Sequence, residues 1–265
     1  PQWRSFWDYS LFVGGIVPAL IFGVAIGNVL QGVPFYFDAY LRPFYTGNFF
    51  SLLNPFALLC GLLSVTMLAM HGAFFLHLKT EGLVQHRAIH AGRISALFTL
   101  LLFIGGGIWL HYGIDGYTVS SILAHDAPSN PHYKMVIQQA DAWFSNYRTL
   151  PITLLAPGLG IITLLLASIA SQYARIAFIC STISIASIIT TVGVSMFPFI
   201  LPSSTHPEQS LLVWDSSSSQ FTLFIMLIAT VILLPIVLLY TAWVYRVLRG
   251  KITEQTIIRN SDSAY

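Results

Sequence analysis

Eight histidines and ten carboxylates are the side chains here that can ligate a metal or move a proton. His71, in the string LAMHGAFF, is the one histidine well inside an apolar run, with Met67 one helical turn before it. His and Met are both axial ligands of haem iron, so the pair is a weak candidate haem site. A histidine in a spanning helix serves equally well by hydrogen-bonding a neighbouring helix, and that packing reading is preferred. His86, His90, His125, His132 and His206 fall in polar segments and read as solvated loop residues; His77 and His111 fall at helix ends. Met196 reads as core filler. The carboxylates, from Asp8 to Asp262, avoid mid-membrane positions, so no proton relay at depth is visible. Cys60 and Cys180 read as buried thiols rather than a disulfide or metal site. No CxxC, HExxH, GxSxG or glycine-rich phosphate loop occurs, and no metal or catalytic residue is assigned.

The elements that hold these residues are set by composition. Of 265 residues, 55% are hydrophobic and 8% charged, against roughly a quarter charged in soluble domains. The chain therefore reads as one integral membrane domain over residues 1–265, an all-α bundle of spanning helices. A net charge of +2 with no basic run excludes nucleic acid as a partner. Six stretches can cross about 30 Å of hydrocarbon, near 11–31, 52–77, 93–112, 150–170, 175–200 and 222–247. Pro18, Pro157 and Pro235 should kink their helices. Gly14-Gly15, Gly105-Gly106-Gly107 and Gly158 with Gly160 should let helices approach. Residues 78–92 read as a hydrophilic link. Residues 113–149 form the longest loop, with a surface helix over 132–146 whose Val136, Ala140, Trp143 and Phe144 make one apolar face.

The most informative stretch runs from Gly193 to Leu223. Pro198 and Pro202 lack amide hydrogens and together stop a helix. Ser203, Ser204 and Thr205 are placed to pair the carbonyls left over. A polar loop follows with Trp214 and Asp215, then four serines. Ser217 and Gln220 have the spacing of a capping box opening the last helix. Trp214 and Asp215, with Pro198 and Pro202, are assigned a structural interface role at the membrane surface, with Asp215 exposed beside the helix start.

That wording, MFPFILPSST followed by WDSSSSQFTL, closely resembles subunit II of the cytochrome bd-type quinol oxidases. So do GNVLQGVPF (27–35), YTGNFFSLLNPF (45–56), YGIDGY (112–117) and LLYTAWVYRVLRGKIT (238–253), in the family's order. The resemblance covers the later part of the family's subunit, so further leading helices are expected before Pro1. It implies a respiratory-chain electron-transport complex of the bacterial inner membrane that oxidises quinol and reduces oxygen to water. The partner, subunit I, would carry haem b and haem d; this chain would pack against it without ligating haem, alongside lipid and any small accessory subunits. The family's acidic residues for proton uptake match no position here. An autonomous secondary transporter is the alternative, since kinked glycine-containing helices build such sites; no inverted repeat or mid-membrane charge supports it. A cytochrome in its own right would rest on His71 alone.

Positive charge gives the orientation. Arg4, Lys79, Arg87, Arg93, Arg175, Arg246, Arg249, Lys251 and Arg259 fall on the side of the N-terminus, against Arg42, Lys134 and Arg148 on the other. The excess puts both ends in the cytoplasm and the Trp-Asp and YGIDGY loops outside. A cytoplasm-dependent reporter fused after Tyr265 should be active and a periplasm-dependent one silent; the reverse pattern overturns the topology.

Overall fold

The computed structural model describes residues 3–121, 130–132, 134–247 and 250–251. Among the described residues, six helices are long and apolar enough to cross a membrane. They are α1 (Arg4–Gln31), α2 (Pro55–Lys79), α3 (Gly82–Gly113), α5 (Leu155–Ile169, entered through a 3-10 turn at Pro151–Leu154), α6 (Ala174–Met196) and α7 (Gln220–Val247). A one-turn helix, α4 (Ser145–Thr149), lies between α3 and α5. Helix α1 packs on α2, α2 on α3 and α6, and α5 on α3 and α6. Helix α7 has no buried residue, and its Leu, Ile and Val side chains stand exposed along its length.

Small residues set how near the helices come. A Cβ added at Gly23 would lie 2.2 Å from the Cys60 carbonyl oxygen, and one at Gly27 2.6 Å from Ala57 Cα. These two glycines bring α1 onto α2 at backbone contact. The glycines singled out by sequence do less. Gly14, Gly15, Gly105, Gly107 and Gly158 face open space, Gly106 meets only a Leu59 methyl, and Gly160 makes ordinary contacts. Helix α6 uses Ser181, Ser184 and Ser187 in the same way, all buried. The hydroxyl of Ser184 donates to the Ser181 carbonyl at 2.9 Å, so the seam is polar but satisfied. Pro18 and Pro235 lie inside α1 and α7, whereas Pro157 sits in the first turn of α5, where its missing amide breaks no helical bond.

Two apolar clusters result. An inner one joins Met70, Phe74, Leu100, Leu164, Cys180 and Ile188. An outer one joins Leu30, Phe56, Tyr117, Trp143, Phe199 and Leu212, with Cys60 against it. The cysteines thus serve different clusters, and both are free.

Two connecting segments differ from expectation. The link over 78–92 is only Thr80 and Glu81; α3 begins at Gly82 and runs for 32 residues. At 1.5 Å per residue it is about 48 Å long, well beyond the hydrocarbon. His86 and His90 are therefore helical, with rings 4.9 Å apart, and Arg87 and Arg93 ride on the extension.

The surface helix over 132–146 is absent as such. Val136–Gln139 forms strand β4, antiparallel to β3 (Gly116–Val119), followed by a 3-10 turn at Ala142–Phe144 and then α4. Helical continuity fails at Asp141, whose φ of 64° is left-handed. The apolar positions still point inward in part: Val136 and Trp143 are buried.

The other β pairs are β1 (Phe35–Phe37) with β2 (Pro43–Tyr45) and β5 (Phe199–Leu201) with β6 (Leu211–Leu212). All three hairpins lie on one face, beyond the ends of α1, α3 and α6. His125, Arg249, Arg259 and Tyr265 lie outside the described residues.

Candidate functional site

The site is a folded cap on that face, and it is built by finding partners for helix-end carbonyls. Pro198 has no amide hydrogen for the carbonyl of Val194, four residues back. The side-chain amide of Asn146 donates there instead, at 2.8 Å, and to the Phe197 carbonyl at 2.6 Å. Likewise the Pro198 carbonyl, which Pro202 cannot serve, accepts from the Val213 amide at 3.0 Å. Tyr147 donates to the Thr191 carbonyl at 2.9 Å and accepts from Ser195. Burial pushes the Tyr147 phenol up, with the Ser195 bond opposing. The prolines do end α6, but Asn146, Tyr147 and Val213 complete it, not the serines assigned from sequence.

Those serines tie down a different loop. Ser203 Oγ donates to the Phe35 carbonyl at 2.5 Å, and Thr205 Oγ1 to the same oxygen at 3.0 Å. The Val33 amide donates to the Pro202 carbonyl at 2.9 Å, and the Ser204 amide to the Val33 carbonyl at 3.1 Å. The end of α1 is sealed by the long loop. Trp143 Nε1 donates to the Leu30 carbonyl at 3.0 Å and Tyr117 to the Gln31 carbonyl at 3.2 Å. Gly32, at φ 87°, lets the chain turn there; a Cβ would lie 2.2 Å from the Tyr117 hydroxyl. Burial, with the Asp115 charge adding to it, raises the Tyr117 phenol to about 12, so it stays a neutral donor.

Under this lid lies a buried ion pair. The Lys134 amine, from the long loop, donates to the Asp215 carboxylate and at 3.1 Å to the Pro131 carbonyl. The Lys134 side chain is 0% exposed and that of Asp215 4%. Burial depresses the Lys134 amine below its ordinary value, and Asp215 partly restores it. Asp215 is therefore not the exposed helix-start carboxylate expected. Nor does Ser217 cap α7: its hydroxyl turns back to the Val213 carbonyl. Ser219 takes the cap position, with its Oγ 3.4 Å from the Thr222 amide that donates to it. Trp214 is half-buried against the outer cluster.

A second charge group holds the rim. Asp141 accepts from His111 Nδ1 at 2.6 Å through one oxygen and from Arg148 through the other. His132 and His206 are half-buried here rather than solvated; His132 reaches the Asp38 carbonyl at 3.4 Å.

The structure thus gathers Pro198, Pro202, Trp214 and Asp215 into one cap and leaves His71 out of it. His71 sits at the inner cluster, stacked on Phe178 with centroids 4.8 Å apart and Nδ1 2.9 Å from Ser181 Oγ. Ser181 donates its own proton to the Phe178 carbonyl at 2.7 Å, so Nδ1 of His71 carries the hydrogen. The ring bridges α2 and α6. Among the described residues no group of three or more His, Cys, Asp or Glu could hold a metal ion. The sequence gives Asn146 no role, Lys134 only a place among the charges of this face, and Trp143 only a place on an apolar face. The available signal was a lone Lys and a lone Asp in two loops assigned to the same face.

Comparison with known proteins agrees along the whole length. The family described as cytochrome bd terminal oxidase subunit II matches residues 1–248. A Haemophilus influenzae protein named probable cytochrome oxidase subunit 2 is 48% identical over 267 residues, covering 100% of this chain and 70% of the relative. The Escherichia coli K12 cytochrome bd-I ubiquinol oxidase subunit 2 is 47% identical over 266 residues, with the same coverage. The Bacillus subtilis cytochrome bd ubiquinol oxidase subunit 2 is 24% identical over 257 residues, covering 96% of this chain and 66% of the relative. With the family match over residues 1–248 and near-half identity to two relatives over the whole chain, this chain belongs to the cytochrome bd terminal oxidase subunit II family.

Proposed function

We propose that the chain forms one integral membrane domain of a quinol:oxygen oxidoreductase in the bacterial cytoplasmic membrane. In it the chain packs against a subunit I that carries haem b and haem d. Quinol is oxidised and oxygen reduced to water in the complex, and this chain supplies structure without ligating haem. Its face bearing Lys79, Arg87, Arg93 and Arg175 is cytoplasmic, and the cap is outward. Small accessory subunits and lipid would complete the assembly.

The observation that supports a structural role is how the cap spends its charges. Lys134 and Asp215 neutralise each other, and Asp141 takes both His111 and Arg148. Groups bound so closely to one another are poorly placed to relay protons, and burial of the first pair removes it from bulk water. Such a cap is a rigid outward surface on which a partner can dock, with Pro198, Pro202 and Trp214 shaping it. The transporter alternative is displaced by family membership. Nor do the ion pairs among the described residues favour it: these lie in connecting segments or at helix ends.

Two predictions separate structure from chemistry. Asp215→Asn leaves Lys134 buried without its counter-charge, which costs about 3–5 kcal/mol when a buried pair is broken. Recovery of the haem-containing complex should fall severalfold, while quinol-driven oxygen consumption per haem stays near wild type. Abolished turnover at normal haem content would make Asp215 catalytic and sink the structural reading. His71→Leu should leave every b-type and d-type absorption band in place, since it removes one interhelical hydrogen bond. Loss of a single haem band from otherwise intact complex would make His71 a ligand.

A further inference from the structure

Helix α3 opens on LVQHRAIHAGR (83–93), polar enough to leave the hydrocarbon yet helical throughout. That helical continuity decides what the stretch can do. Residues four apart on a helix stand on one face, with Cβ atoms about 5–6 Å apart; in a loop their separation would be unconstrained. His86 and His90 are four apart, and their rings meet edge to face with centroids 4.9 Å apart. Both are exposed, and neither ring hydrogen-bonds another described residue. The backbone beneath them is held in place. Ala88 and Gly92 are buried, and a Cβ added at Gly92 would lie 2.6 Å from the Phe74 ring of α2.

A fixed pair of imidazoles on one helix face has the form of a chelate. A divalent metal about 2.0–2.1 Å from one nitrogen of each ring would lie roughly 3.2 Å from each centroid. A 4.9 Å separation of centroids then subtends about 100° at the metal, close to tetrahedral. Imidazole nitrogen suits zinc, copper and nickel, whereas magnesium and calcium take oxygen ligands. Arg87 follows His86 directly, and Arg93 stands three residues beyond His90, on the same side of the helix. Both are exposed, so their repulsion of a cation is screened by water and salt.

We propose that His86 and His90 form a two-ligand site for a borderline divalent transition-metal ion of the zinc, copper and nickel class. Two imidazoles leave the remaining coordination positions open to water. The site uses only the part of α3 beyond the hydrocarbon and owes nothing to oxidase chemistry, so its test reads metal and not turnover.

The test is titration of the chelator-treated, detergent-purified complex with Cu²⁺ alone, followed by electron paramagnetic resonance. In the wild type the tightest added Cu²⁺ should show two imidazole nitrogens, a count that needs no variant. His86→Gln and His90→Gln should each remove one nitrogen and weaken that Cu²⁺ about 100-fold, because the second imidazole binds as an intramolecular ligand. Arg93→Gln should move the affinity the other way, tightening it a few-fold, by removing a like charge. Zn²⁺ should displace the Cu²⁺ signal and excess Mg²⁺ should not. Glutamine is a good helix former and both positions are exposed, so the complex should assemble. Should one histidine variant fail to assemble, the other gives the same reading. A single nitrogen in the wild type, an unchanged spectrum and affinity in an assembled histidine variant, or displacement by Mg²⁺ overturns the proposal.

Discussion

A spanning helix that ends near lipid leaves carbonyls with neither water nor a next turn to pair them, and the half of this fold that carries the hairpins answers that constraint. Asn146 serves Val194 and Phe197, Val213 serves Pro198, and Trp143 and Tyr117 serve Leu30 and Gln31. Each donor comes from a segment distant in sequence. The long loop after α3 must therefore lie across the ends of both α1 and α6. Once it does, Lys134 and Asp215 are brought together and covered. The ion pair is thus a consequence of carbonyl pairing and then a lock on it, because separating two buried opposite charges is costly.

Below the cap the chain uses a different means. Gly23 and Gly27 let α1 meet α2 at backbone distance, and the serines of α6 do the same with hydroxyls turned back on their own helix. Neither device needs a cofactor. The exposed apolar flanks of α1 and α7 suit lipid or another membrane chain, as a subunit of a larger complex requires.

The spans were legible in the sequence because hydropathy over about 20 residues is a strong local signal. The end of α6 and the start of α7 were legible to within a few residues, because proline and serine punctuate strongly there. What was not legible depended on distant partners. The apolar spacing of Val136 and Trp143 suited a helix, but Asp141 is left-handed and drawn to His111 and Arg148, and β4 finds β3. Ser217 fitted a capping box, yet Ser219 opens α7. Asp215 read as exposed because nothing local to it announces Lys134, 81 residues away. The hydrophilic stretch 82–92 read as a link because polarity marks the end of hydrocarbon, not the end of a helix.

Lys134 and Asp215 act as one unit that holds two loops of the cap together. A double-mutant cycle on the thermal stability of the purified complex measures that directly. Lys134→Met and Asp215→Leu should each destabilise by about 3–5 kcal/mol, since each leaves a buried charge alone. The double variant, with neither charge, should recover to within about 1–2 kcal/mol of wild type. Additive losses in the double variant would show that the two residues act separately and that the pair does not lock the cap.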